Sequence, residues 1–342
     1  MKAMVLRQLG PVGPDADPLV LEEAPDPEPG PGQVLLEVSA CGVCHTELDE
    51  IEGRTAPPVL PVILGHQVVG HIADRGTGAD RFAPGERVGV GWIYAACGNC
   101  EFCRRGLENL CPDFKAAGRD ANGGYAEKMI VPEAFAHRIP ACFSDVHAAP
   151  LFCAGAIGYR SLRLAGLQNG QSLGLTGFGA SAHLVLKMVK YRFPDSPVCV
   201  FARSPAERNF ALTMGAAWAG DTAAAPPLAL DAIIDTTPAW TPIVKALAAL
   251  KPAGRLVVNA IRKESGDKAA LMDMDYPAHL WLEKQIVSVA NVARQDIAEF
   301  LLLAADAGLQ PEVEIFGLRQ ANEALRQLKA RRIKGAKVLV MD

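Results

Sequence analysis

The sequence predicts an α/β chain made of a β-rich first block and a doubly wound parallel sheet. Two observations carry this prediction. From about residue 151 to 290 apolar runs alternate with helical segments, and a glycine-rich turn joins the first of these runs to the helix after it. Up to residue 150, short strands are punctuated by Gly and Pro clusters such as PDPEPGPG and FAPGERVGV. With 342 residues, and about 150 per domain as a prior, the chain has room for two domains.

In the first block, Val34–Val38 and Val68–Ile72 read as strands. In the second, the strands are Leu173–Leu175, Val198–Phe201, Ala216–Ala219, Ala232–Ile234, Leu256–Val258 and Ile286–Val289. These runs are apolar on both faces, as a parallel sheet covered by helices on both sides requires. The last block has helical stretches in IAEFLLLAADAG and ANEALRQLKARR, then a terminal strand Lys337–Met341. The division read is 1–150, 151–290 and 291–342. The basic run Lys329–Lys334 is read as a solvated helix end.

Half of the residues are hydrophobic and the formal net charge is −4, so no positive field draws nucleic acid or an acidic membrane. No uncharged apolar stretch approaches the roughly 20 residues of a membrane span. Nine cysteines, and an N-terminus MKAMVLRQLG without an apolar signal core, indicate neither a disulfide framework nor secretion. A cytoplasmic setting is expected.

Four of those cysteines, Cys97, Cys100, Cys103 and Cys111, lie in CGNCEFCRRGLENLC. Thiolates this close along a loop converge on one tetrahedral Zn²⁺, and a closed four-cysteine shell leaves no position open for chemistry. The site is read as structural, which directs the search to a second metal. Cys41, Cys142 and Cys199 are read as small core or strand residues, and His71, His137, His147, His183 and His279 as surface or loop residues.

The segment LGLTGFGASAHLVLKMVK places Gly174, Gly177, Phe178, Gly179, Ala180, Ser181 and Ala182 between an apolar strand and a helical run. From Gly177 to Ala182 this is the G-x-G-x-x-A variant: the first glycine turns sharply, the second admits a pyrophosphate to the backbone, and the alanine keeps helix and strand close. The N–H groups at the helix start complete a phosphate site. At the end of the second strand, where an acid binds the ribose hydroxyls of NAD, the chain has Ala202-Arg203-Ser204. Arg203 and Ser204 suit a 2′-phosphate, so NADP(H) is expected in preference to NAD(H).

Cys44 in CGVCHTELDEIEG, His66 in LPVILGHQVVGHI and Cys153 in APLFCAGAIGYRSL supply two thiolates and an imidazole. Singly, Cys153 also reads as a small buried residue and His66 as a satisfied histidine beside a turn.

Taken together, GVCHT, GHQ, the four-cysteine lobe, CAGAIGY, the glycine turn and ANEALRQLKARRIKGAKVLV resemble the zinc-dependent alcohol dehydrogenases of the medium-chain dehydrogenase/reductase superfamily over nearly the whole chain. The resemblance implies a GroES-like catalytic domain completed by the tail, and a Rossmann cofactor domain. It implies two zinc ions per chain, the catalytic one held by Cys44, His66 and Cys153. Thr46 would bond the substrate oxygen and pass its proton, and His45 would lie near the cofactor pyrophosphate. Trp92 and Tyr94 would belong to the substrate pocket. Glu47 stands where the family usually has the aspartate partner of the histidine ligand, and its extra methylene keeps that bond within reach.

Two departures from the family pattern matter. Gly65-His66-Gln67 replaces the usual Gly-His-Glu, which makes the site more electropositive by one charge. Asp49 stands where many relatives end a proton relay with histidine; it reads either as a relay carboxylate or as a surface charge. The implied reaction is hydride transfer between NADP(H) and a primary alcohol or aldehyde, in a homo-oligomer, a dimer or tetramer. A zinc-containing reductase of enones or other carbonyls is the nearest alternative. A nonenzymatic nucleotide-binding protein with an impaired zinc site is the alternative from another class, and retention of Cys44, Thr46, His66 and Cys153 argues against it.

Overall fold

The computed structural model describes residues 1–332 and 335–341. The chain forms two compact units, residues 1–153 with 292–342, and residues 154–291.

In the first unit, β1 (Gln33–Val43) runs through Cys44 into α1 (His45–Ile51). It is followed by β2 (Val68–Arg75), β3 (Arg87–Val90), β4 (Ile93–Ala95), β5 (Lys128–Pro132) and β6 (Ala136–Arg138). The second unit contains α2 (Ala154–Ala165), β7 (Leu173–Thr176), α3 (Ala180–Arg192), β8 (Val198–Phe201) and α4 (Pro205–Thr213). It continues with β9 (Trp218–Gly220), β10 (Leu230–Asp235), β11 (Leu250–Val258) and β12 (Gln285–Ser288). The chain then re-enters the first unit with α5 (Arg294–Asp306), β13 (Val313–Gly317), α6 (Ala321–Lys329) and β14 (Ala336–Val340).

The main sheet of the first unit has the order β6-β3-β2-β1-β14-β13, and β5 also pairs with β1. β14 lies antiparallel to β1, with Leu339 opposite Cys41 and Val338 opposite Gly42. The last four residues of β1 are all buried, so this strand delivers Cys44 from the interior.

The second unit is built on a parallel sheet of order β9-β8-β7-β10-β11-β12. Strand order runs outward in both directions from the β7/β10 pair, which makes that pair the switch point. Every residue of β7 and β8 is buried, which explains why their sequence is apolar except for Thr176 at the end of β7. One face packs Cys199, Phe201, Leu230, Ile233, Leu247 and Leu256 into a single core, where truncating a leucine to alanine costs about 2–5 kcal/mol.

Several boundaries differ from the sequence reading. The strand expected at Ala216–Ala219 is Trp218–Gly220, because Gly215 turns with φ +95 and the Ala216 N–H caps α4 by donating to the Ala211 carbonyl at 3.0 Å. The strand expected at Ile286–Val289 is Gln285–Ser288. Helix α6 stops at Lys329, before Arg331 adopts φ +58. Lys334, the end of the basic run, lies outside the described residues.

Two residue readings are corrected. Cys142 is exposed rather than part of a core or strand. His137 is not a surface residue: it is 5 % exposed in β6, paired with Gly89, its ring 6.3 Å from that of Phe152. Phe152 fills the space a side chain at Gly89 would need. Burial, with Arg81 and Arg294 nearby, pushes His137 down to about 3.

Candidate metal and cofactor sites

Cys44 ends β1 and caps α1, its Sγ accepting from the Thr46 N–H at 3.4 Å. The Cys44 N–H in turn donates to Glu47 Oε2 at 2.8 Å, closing a reciprocal cap. This cap fixes the direction of the thiol. Gly65 holds φ +100, where a side chain would strike Tyr125 and the sulfur of Cys41, and so brings His66 in against the buried end of β1. Cys153 follows the short 3₁₀ turn Ala149–Phe152.

These three residues converge. Cys44 Sγ lies 3.6 Å from His66 Nε2 and 4.0 Å from Cys153 Sγ, and the three donor atoms all fall within 4.8 Å of one another. The neighbouring Cys153 thiol, followed by burial, holds the Cys44 thiol well above its ordinary pKa. Burial opposes a charged His66, yet the charges of Glu47 and Cys44 raise its pKa well above the usual value. Two soft sulfurs and an imidazole forced together in this way fit a bound zinc, which takes thiolate and neutral imidazole as ligands.

Glu47 is fully buried, and its Oε1 stands 2.6 Å from His66 Nδ1. Gln67 lies over Gly42, where a side chain would come within 2.7 Å of its amide oxygen, and its buried Nε2 has no partner among the described residues. Trp92 donates its indole N–H to Glu50 Oε1 at 3.3 Å and sets its ring edge-on to His66 at 6.4 Å. Tyr94, in β4, is half-buried, and desolvation raises its phenol. Thr46 is half-buried and His45 exposed in the first turn of α1.

Asp49 is corrected on one count. It is 4 % exposed and paired with Arg54, Nε and Nη2 each 2.5 Å from Oδ1, so it is no surface charge.

Glu50 escaped the sequence reading. It lies one helical turn after Glu47, is fully buried, and burial followed by the charge of Glu47 pushes it up to about 8. The i, i+3 spacing of Glu47 and Glu50 was the available signal, but acids at that spacing more often face water.

In the four-cysteine lobe all four sulfurs again lie within 4.8 Å of one another. The N–H of Cys97 points at Cys111 Sγ, that of Cys100 at Cys97 Sγ and that of Cys103 at Cys100 Sγ, each at 3.4 Å. Backbone N–H groups of Asn99 and Cys100 lower the Cys97 thiol to about 7, favouring the thiolate a metal binds. Glu108, within the lobe, accepts from Arg294 Nε at 2.9 Å and Nη2 at 2.8 Å, tying the lobe to the start of α5.

In the second unit, Gly177 turns with φ +76 and a side chain there would meet Thr236 and Thr237. Gly179 is the N-cap of α3 with no side-chain cap, and the space a Cβ would occupy is open. Ala180 is exposed and Ser181 half-buried, so free N–H groups face an open cradle suited to a pyrophosphate. Phe178 is buried and packs edge-on against Phe210, ring centroids 5.7 Å apart. A side chain at Gly174 would strike Leu230 and Ile233, so this glycine lets the sheet core close beneath the turn.

Beyond β8, Ala202 is buried and Arg203 exposed, while Ser204 caps α4 by accepting from the Ala206 N–H at 3.2 Å. That bond leaves the hydroxyl proton of Ser204 available. Arg208, which the sequence reading missed, donates to the carbonyls of Ala202 at 2.7 Å and Arg203 at 2.9 Å and fixes this turn.

Residues 30–141 match the alcohol dehydrogenase GroES-like domain. The chain is 41 % identical to the probable alcohol dehydrogenase AdhA of Mycobacterium tuberculosis (strain CDC 1551 / Oshkosh), covering 100 % of this chain and 97 % of that protein. It is 33 % identical to the probable cinnamyl alcohol dehydrogenase 8A of Oryza sativa subsp. japonica, over 86 % of this chain and 84 % of that one. Among solved structures, a cinnamyl alcohol dehydrogenase of Sorghum bicolor superposes with a TM-score of 0.83 at 28 % identity, over 99 % of this chain and 97 % of that one.

Proposed function

This chain belongs to the zinc-type medium-chain alcohol dehydrogenases, and on that premise we propose that it moves hydride between NADP(H) and a primary alcohol or aldehyde. The observation that carries the proposal is the convergence of Cys44, His66 and Cys153, with Glu47 behind His66. When bound, zinc supplies Lewis acidity toward the alcohol or carbonyl oxygen, and the nicotinamide gives or takes the hydride.

The chain's own residues do the rest. Cys44, His66 and Cys153 would hold the metal through two thiolates and one imidazole nitrogen. Glu47 keeps a proton on His66 Nδ1, so that Nε2 is free to ligate. Thr46 Oγ1 relays the alcohol proton: it accepts that proton while its own hydroxyl proton leaves to solvent water in oxidation, and the transfers reverse in reduction. Trp92, fixed by Glu50, and Tyr94 wall the substrate pocket. Asp49 anchors Arg54 and is assigned no proton step. Cys97, Cys100, Cys103 and Cys111 hold a second, structural zinc.

In the second unit Gly177, Gly179, Ala180 and Ser181 receive the pyrophosphate. Arg203 and Ser204 select NADP(H) through the 2′-phosphate, held in the turn that Ala202 shares with Arg208. Reduction of aldehydes is the direction proposed. No helix among the described residues is long and apolar enough to cross a membrane, and a cytoplasmic location is part of the proposal. So is a dimer or tetramer: β12 is the outer strand of its sheet and bears exposed Ile286 near exposed Trp281 and Leu282.

Initial rates with aliphatic and aromatic aldehydes, using NADPH and NADH in parallel, test the reading. Higher kcat/KM with NADPH is expected. Absence of turnover across the panel overturns the activity, and equal values overturn the cofactor preference alone.

A further inference from the structure

Asp235 ends β10 at the switch point of the sheet and is completely buried. Its Oδ1 accepts from Thr176 Oγ1, at the end of β7, at 2.5 Å and from Thr237 Oγ1 at 2.8 Å. Its Oδ2 pairs with Lys263, itself only 8 % exposed at the side chain. The Lys263 ammonium also donates to the carbonyls of Thr237 at 2.6 Å and Ala239 at 3.1 Å. All three ammonium protons thus have acceptors, and both carboxylate oxygens have donors.

This network joins three segments: the end of β7, the loop after β10, and the segment after β11 that carries Lys263. Backbone bonds run alongside it, from the Asn259 N–H to the Asp235 carbonyl at 2.7 Å and from the Glu264 N–H to the Pro238 carbonyl at 2.7 Å. The loop it clamps touches the glycine turn, since Thr236 and Thr237 occupy the space beside Gly177. A buried ion pair is a weak source of stability, because desolvation offsets most of the attraction. Its distinct capacity is to hold one carboxylate and two backbone carbonyls from a single point, which fixes a loop shape.

The strand order says which part of a dinucleotide lies over that loop. Arg203 and Ser204 follow β8 and the pyrophosphate cradle follows β7. Continuing in the same direction, the next strands are β10 and β11. The half of the cofactor beyond the pyrophosphate therefore passes over the two loops that Lys263 ties together. We propose that Lys263, through its buried pair with Asp235, is a positioning residue for the nicotinamide half of the cofactor and leaves the adenosine half unaffected. The inference rests on the reading that this unit binds NADP(H).

The test compares dissociation constants for NADPH and for adenosine 2′,5′-bisphosphate, which carries the phosphorylated adenosine half alone, in wild type, Lys263→Met and the double variant Asp235→Asn/Lys263→Met. Wild type should bind both ligands. In each variant NADPH affinity should fall by about tenfold or more while the bisphosphate stays within about twofold. The double variant keeps the experiment decisive if the single one fails to fold, because it leaves no unpaired buried charge. Parallel loss of both ligands, or unchanged NADPH binding in the folded double variant, overturns the inference. A wild type that binds neither NADPH nor NADH overturns the cofactor reading instead.

Discussion

Glu47 meets two partners at once: Oε2 holds the Cys44 N–H at 2.8 Å and Oε1 faces His66 Nδ1 at 2.6 Å. One carboxylate thereby sets the direction of a thiol and the tautomer of an imidazole. Outer partners of metal ligands of this kind are worth about 10–100-fold in metal affinity. Glu47→Ala should weaken zinc at the Cys44 site by that factor in a chelator competition, and Glu47→Asp by less. Unchanged affinity in Glu47→Ala would show that His66 is oriented by something else.

The four-cysteine lobe should behave independently of that site. Cys103→Ala is expected to remove one of two zinc ions per chain and to lower Tm by about 5–10 °C, because a structural zinc contributes directly to folding. Elemental analysis paired with calorimetry reads both. Two zincs retained in Cys103→Ala would refute the structural assignment.

Arg203 stands exposed beside β8, free to pair with a 2′-phosphate. Hydrogen bonds to charged groups contribute about 1.5–3 kcal/mol, so Arg203→Ala should cost about 10–100-fold in kcat/KM for NADPH. The NADH value should barely change. Equal loss with both cofactors would point to a general effect on the turn rather than to phosphate recognition.

His137 gives a pH dependence whose sign is fixed by its burial. Its pKa is about 3 in the folded chain against an ordinary 6.5, so between those values the unfolded chain binds the extra proton. Its contribution favours folding fully above pH 6.5 and is lost as pH falls toward 3. Denaturant titrations between about pH 5 and 6.5, above most carboxylates, should show a shallower loss of stability for His137→Asn than for wild type. Identical slopes would contradict the buried neutral histidine.

These residues also show what the sequence makes legible. The glycine turn and the four-cysteine lobe were readable because each packs its chemistry into a few consecutive residues. The parallel strands were readable because β7 and β8 are buried on both faces and so stay apolar up to Thr176 at the end of β7. Glu50 was hidden because its burial depends on which face of α1 meets Trp92, 42 positions away. Lys263 and Asp235, 28 positions apart, become partners only when the loops after β10 and β11 fold together. His137 looked like a loop residue because its burial depends on Phe152 and on pairing with Gly89 in β3, both distant from it in the chain. Asp49 looked like a relay or a surface charge until its pairing with Arg54 placed it in the interior.

If the metal held by Cys44, His66 and Cys153 enables turnover, Cys153→Ser should abolish it, as read from zinc content, NADPH binding and aldehyde reduction on the same sample. The expected result is one zinc per chain in place of two, NADPH affinity within about twofold of wild type, and turnover lost by at least about a hundredfold. Two zincs retained, or turnover close to wild type, would contradict it.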